Sequence, residues 1–146
     1  MNKASQEQRI VKVANCPSLS GKSTLTYHIG CDDKNALSIR VYANSGEGCF
    51  SQEWVAFESI QETIMQANFT STTLRSLFQG KSINTPAFLL AALLNEHVVI
   101  RAKEKPRSYS EGEVKVFLTN TNALMKTKVS LNADDKPKRT EVNKVV

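Results

Sequence analysis

Partway along this chain the apolar residues change their period, and that change restricts the fold more than any other feature. From Thr24 to Ala43 they recur at every second position: Leu25, Tyr27 and Ile29, then Leu37, Ile39, Val41 and Ala43. A strand points successive side chains to opposite faces, so this is the pattern of two strands that each bury one face. Gly30 to Asn35 separates them as a turn, and Asn44 to Gly48 supplies another before a third expected strand from Cys49 to Val55, which carries Phe50 and Trp54. Short turns between alternating segments predict a three-stranded antiparallel meander.

From Phe57 the spacing becomes helical. Ile60, Ile64 and Ala67 form one stripe, with Glu58, Gln61 and Glu62 off it. Thr70 or Ser71 is a suitable N-cap for a second helix carrying Leu74, Leu77 and Phe78, with Gly80 placed to end it. Asn84 or Thr85 caps a third, in which Pro86 takes the first helical position, where its missing N–H costs nothing. This third helix, through about His97, is apolar almost all round (Phe88 to Leu94), the composition of an interior helix. Val98 to Ile100 then predicts a short strand, and Val114, Val116 and Leu118 alternate in a way that would pair back with it as a long-looped hairpin. The fold class expected is therefore α+β: a meander packed on about three helices, with a distal hairpin and a flexible basic C-terminal tail. The expected divisions are a flexible N-terminus over residues 1–7, one domain over 8–120 and a weakly structured to disordered basic segment over 121–146.

At 146 residues the chain has room for one such domain. Its longest uninterrupted apolar run, Phe88 to Leu94, is far short of a membrane span, and its start lacks the apolar stretch of a secretory signal. Cys16, Cys31 and Cys49 are sparse and odd in number, unlike a disulfide framework. These features point to a cytoplasmic protein with no membrane partner.

No residue set meets the requirements of a catalytic centre, so the expectation is a non-enzyme without a cofactor. Gly21-Lys22-Ser23-Thr24 matches the tail of a phosphate-binding loop, but Cys16 stands where that loop needs glycine, and a strand follows where it needs a helix. Cys16, His28, Cys31, Cys49 and His97 have metal-binding chemistry, yet only His28 and Cys31 approach the close spacing of structural zinc ligands, so no metal is expected. Asp32 and Asp33 fall in a turn whose backbone they can cap. Glu96 and His97 end the apolar helix, where a solvated terminus is the plain expectation, and plain core packing between sheet and helix is the expectation for Trp54.

What remains is charge. Residues 1–97 hold eight Lys/Arg and eight Asp/Glu, whereas residues 98–146 hold eleven and six, so the whole net charge of +5 lies in the final third. A basic segment on a neutral body predicts an anionic partner, with nucleic acid first. Two short helices followed by a hairpin with a basic tip also repeat the order of a winged helix-turn-helix. Arg101, Lys103, Lys105, Arg107 and Lys115 are the candidate phosphate contacts, and Lys22, Lys34, Arg40, Arg75 and Lys81 could extend them if the fold brings them together. The third helix offers no polar residues near its start for reading base edges, so backbone-directed binding of DNA or RNA is favoured over sequence reading. The competing expectation is a protein-interaction module or homodimer that uses an apolar helix surface or an exposed Phe50 or Trp54.

Overall fold

The computed structural model describes residues 8–136 except 67, 81, 83 and 104. It is an α+β fold. Strands β1 (Arg9–Pro17), β2 (Thr24–Cys31), β3 (Leu37–Asn44) and β4 (Val55–Ala56) form one antiparallel sheet in the order β1-β2-β3-β4. Helix α1 (Phe57–Thr63), a 3₁₀ helix (Ser71–Leu77) and α2 (Asn84–Asn95) follow, then a hairpin of β5 (Val99–Arg101) and β6 (Tyr109–Glu111), and finally α3 (Val114–Lys126).

The two alternating segments become β2 and β3 because burying one face uses the alternation fully. Leu25, Tyr27, Ile29 and Cys31 of β2 and Leu37, Ile39 and Val41 of β3 all enter the core. The strand before them, β1, has a less regular pattern because its register with β2 shifts between Ile10 and Lys12, which lets Ile10, Val11 and Val13 all be buried.

α2 explains its own composition. It packs on β1, β2 and β3 on one side and on the 3₁₀ helix and β5 on the other, so Leu89 through Leu93 are buried all round. Its start is capped by the Ser82 hydroxyl, which accepts from Asn84 N at 3.1 Å, and not by Asn84 or Thr85. Thr85 Oγ1 instead accepts from Ser51 N at 2.9 Å. The second helix begins as expected with a Thr70–Thr73 capping box, but it is 3₁₀ and ends with Phe78 in extended conformation, before Gly80.

Three sequence expectations need correction. The strand expected over 49–55 is reduced to Val55–Ala56, because the backbone before it bonds to the start of α2: Ser51 N donates to Thr85 Oγ1 at 2.9 Å, and the Cys49 carbonyl accepts from Ser82 Oγ at 2.8 Å and Asn84 Nδ2 at 2.9 Å. Trp54 is half-buried on the sheet face away from the helices, so it does not pack between sheet and helix; its ring lies so close to Gly30 that a Cβ there would sit 2.8 Å from Cη2. Residues 114–118 form no strand. Val114, Phe117, Thr121 and Met125 are buried at spacings of three and four while Val116 is 53 % exposed, and Phe117 packs on Phe57 with ring centroids 4.9 Å apart. The alternation of Val114, Val116 and Leu118 hid a second pattern, Val114, Phe117, Thr121 and Met125 at helical spacing, and tertiary packing favours the helix that buries it.

α3 also crosses the boundary expected at residue 120. Arg9 fastens its far end, donating to the Val129 carbonyl at 2.7 Å and the Met125 carbonyl at 3.3 Å, where a cation also meets the negative end of the helix dipole. Leu131 then bridges Ile10 through a 2.9 Å backbone hydrogen bond. The expected flexible segment 1–7 and positions 137–146 of the expected tail lie outside the described residues. Among the described residues, no helix is long and apolar enough to cross a membrane.

Because α2 joins every layer, Leu90→Ala should lower unfolding stability by about 2–5 kcal/mol, a cavity cost. Met65→Ala, at a 67 % exposed position, should change it by less than about 0.5 kcal/mol. Denaturant titration checks both, with the midpoint moving and the slope held.

Candidate functional site

The basic hairpin is built from three residue pairs, Val99↔Glu111, Ile100↔Ser110 and Arg101↔Tyr109. Phe69 supports it by exchanging backbone hydrogen bonds with Tyr109 at 3.0 and 2.8 Å. The loop closes through Ala102 N to Ser108 O at 2.9 Å and Ser108 N to Lys105 O at 3.2 Å, with Arg107 in the left-handed region at φ 64°. Arg101 lies over the Tyr109 ring, 5.7 Å from its centroid, and donates to Tyr109 Oη at 3.4 Å. Lys103, Lys105 and Arg107 are exposed around Pro106, which keeps this stretch out of a regular helix. None of these four cations has an ion-pair partner among the described residues. Over 101–107 they outnumber the single carboxylate of the sequence, Glu104, by four to one.

The fifth candidate, Lys115, is exposed on the first turn of α3. Gly112 N and Glu113 N bond to the Val98 and His97 carbonyls, each at 2.7 Å, so α3 starts at the hairpin's root, three residue pairs (roughly 10 Å) from the basic loop. The fold thus gathers Arg101, Lys103, Lys105 and Arg107 and leaves Lys115 apart.

The other cations do not form one field. Lys22 lies in the β1–β2 turn, whose Ser18 and Leu19 line a cleft with Arg101, so it shares that end of the sheet. Lys34 lies in the β2–β3 turn, roughly 23 Å away along β2. Arg75 is on the 3₁₀ helix, Arg40 is on the outer sheet face, and Lys81 is outside the described residues.

Beside the hairpin, the cleft of about 180 Å³ is bounded by Cys16, Leu19, Ala91, Leu94, Asn95 and Arg101 among others. Next to it, Glu96 is not the solvated terminus expected. Its carboxylate lies 2.9 Å from Lys12 Nζ and accepts from Tyr27 Oη, whose oxygen also accepts from Asn95 Nδ2 at 2.8 Å. Burial, reinforced by Glu96, pushes the Cys16 thiol up to about 11, and burial likewise raises the Tyr27 phenol. A thiol held protonated is a poor nucleophile, and the hydrogen bonds of this cluster tie the end of α2 to β1 and β2. Cys31 is buried, Cys49 is exposed, and no three potential metal ligands gather among the described residues. Gly21-Lys22-Ser23 forms a turn that runs into β2, with Gly21 at φ 78°, and Asp32 Oδ1 caps the next turn by accepting from Lys34 N and Ala36 N at 2.9 Å.

The sheet's outer face carries a cluster that sequence reasoning missed. His28 and Arg40 are cross-strand partners on β2 and β3. Arg40 Nε donates to His28 Nδ1 at 3.1 Å, which leaves the proton on Nε2, 3.1 Å from the Ala133 carbonyl. The His28 and Tyr42 rings stack with centroids 4.5 Å apart, and Tyr42 Oη donates to Asp134 at 2.6 Å. The Arg40 guanidinium lies over both Trp54 (4.6 Å) and Tyr42 (5.2 Å). The alternation placed His28, Arg40 and Tyr42 opposite the apolar side chains, and that shared face was the signal available; Trp54 and the returning chain at 133–134 had none. No family model, curated protein or solved structure matches the chain.

Burial, followed by the nearby Arg40 charge, lowers the His28 imidazole to about 4, against the opposing pull of the Ala133 hydrogen bond and Asp134. The unfolded chain binds this proton near pH 6.5 and the folded one only near 4, so protonation favours unfolding. His28 therefore contributes stability above pH 6.5 that is lost as pH falls toward 4. Wild-type stability should fall measurably between pH 7 and pH 5, above most carboxylate titration, and His28→Gln should flatten that drop. Chemical denaturation at the two pH values checks it; an equal drop in both proteins counts against this assignment.

Proposed function

We propose that this protein binds nucleic acid in the cytoplasm, directed to the phosphate backbone and without catalysis, through the hairpin loop of Arg101, Lys103, Lys105 and Arg107. The observation that carries the reading is the presence of four cations on one supported hairpin segment, free of ion pairs among the described residues. Cations left to solvent on a projecting loop suit phosphates, whose counterions they release on binding. The compartment rests on the three free cysteines, which suit a reducing environment.

Helix, helix and hairpin follow in winged helix-turn-helix order, and in that arrangement the second helix would read the major groove. Here Thr85 and Pro86 at the start of α2 are buried, and Asn84 Nδ2 is bonded to the Cys49 carbonyl at 2.9 Å. Among the described residues at the start of α2 the polar atoms are buried or already bonded, which favours the hairpin as the contacting element and binding insensitive to sequence. Leu89 to Leu93 of the apolar helix that an interaction module would have used are buried within the chain itself.

Binding of a short arbitrary duplex, followed by fluorescence anisotropy across salt concentrations, tests the proposal. With three or four phosphate contacts, log affinity should fall against log salt with a slope of about −3 to −4. The triple variant Lys103→Ala/Lys105→Ala/Arg107→Ala should lose at least about tenfold in affinity at low salt and flatten the slope by about 3, whereas Lys115→Ala should have a much smaller effect. Binding that ignores salt, or a triple variant that binds like the wild type, overturns the reading.

A further inference from the structure

We infer that the outer face of the sheet is a second binding surface, a stacking platform for single-stranded nucleic acid that the chain's own segment 131–135 occupies as a displaceable strap. This rests on the nucleic-acid reading above and extends it to a different face.

The platform is His28, Arg40, Tyr42 and Trp54, drawn from β2, β3 and the approach to β4. Its rings are mutually ordered: His28 stacks on Tyr42, and its centroid is 6.3 Å from that of Trp54, which rests against Gly30. Arg40 is the telling residue. It is half-buried between two aromatic rings, uses Nε on His28, and has no carboxylate partner among the described residues. A partly desolvated guanidinium whose outer N–H groups have no partner among the described residues suits an anion, and with flanking aromatic rings it suits a phosphate joined to a stacked base.

The strap resembles the ligand such a surface would take. The Ala133 carbonyl accepts from His28 Nε2, and the Asp134 carboxylate accepts from Tyr42 Oη, so an acceptor and an anion already sit where a nucleotide would place its own. Asp135 folds the strap by accepting from Asn132 N at 2.8 Å, and the Ile10–Leu131 bridge contributes one more backbone bond. Among the described residues these attachments are few enough to be within reach of competition by a polyanion. With the strap displaced, a strand segment accepts from His28 and Tyr42, lays a base on the half-buried Tyr42 or Trp54 ring and sets a phosphate at Arg40.

Trp54 is the chain's single tryptophan, so the platform reports on itself. The full chain is titrated with a single-stranded oligothymidylate and with a matched duplex, reading Trp54 emission and, separately, the anisotropy of labelled oligonucleotide. Quenching of Trp54 by the single strand and not by the duplex is expected. Asp134→Ala should bind the single strand about fivefold more tightly, because the Tyr42–Asp134 contact no longer competes, and Arg40→Gln should lose the quenching. Binding by anisotropy with Trp54 emission unmoved overturns the platform and leaves the hairpin reading standing. Quenching that survives the triple hairpin variant, with unchanged affinity, supports the platform and overturns the hairpin. Absence of any binding overturns both. Wild-type quenching is decisive even if a strap variant fails to fold.

Discussion

Burial of α2 between two layers is the constraint on which the remaining structure depends. With Leu89 through Leu93 buried in succession, round more than a full turn of α2, the chain must supply cover from two directions. The sheet covers one side, and the 3₁₀ helix and β5 cover the other. Once that is satisfied, the order of elements leaves little freedom: the chain leaves α2 directly into β5, and the hairpin is held against the same helix. The Lys12–Glu96–Tyr27 cluster then fixes the end of α2 to the sheet. Removing one member of such a partly buried set leaves a charge or hydroxyl unpaired, which costs more than the intact set contributes.

The same constraint separates the two surfaces with a claim on function. With α2 enclosed, the cations gathered on hairpin 101–107 project from one part of the molecule, and the ring cluster around Arg40 lies on the sheet face turned away from the helices. The first is an exposed charge array without ion pairs among the described residues; the second is a half-buried guanidinium covered by the returning chain. Exposed lysines and arginines hold phosphates loosely and in a salt-dependent way, while a guanidinium packed among rings favours an anion joined to something flat. The two surfaces therefore suit different features of one polymer.

Much of this was legible in the sequence, for reasons that can be stated residue by residue. Leu25 to Ile29 and Leu37 to Val41 alternate without interruption because each strand buries one face, so β2 and β3 were readable. β1 was less so, because the register shift near Ile10 places Val11 out of step. Val114, Val116 and Leu118 alternate as a strand would, while Val114, Phe117 and Thr121 recur at helical spacing, and the packing of Phe117 on Phe57 goes with the second pattern. The charge imbalance of the final third was plain, but its division was not: that Arg101, Lys103, Lys105 and Arg107 share a hairpin follows from Tyr109 pairing with Arg101, and Lys115 is set apart by a helix the alternation concealed. The outer-face cluster was illegible because it joins β2 and β3 to residues more than 90 positions away, and no local pattern encodes such a return.

The most direct test of the hairpin's role is the map of amide shifts in an isotope-labelled sample on adding a short duplex at low salt. The account predicts that signals of residues 101–109 move first and furthest, with the Lys34 turn unaffected. Shifts concentrated elsewhere, with the 101–109 amides unmoved at saturation, would contradict it.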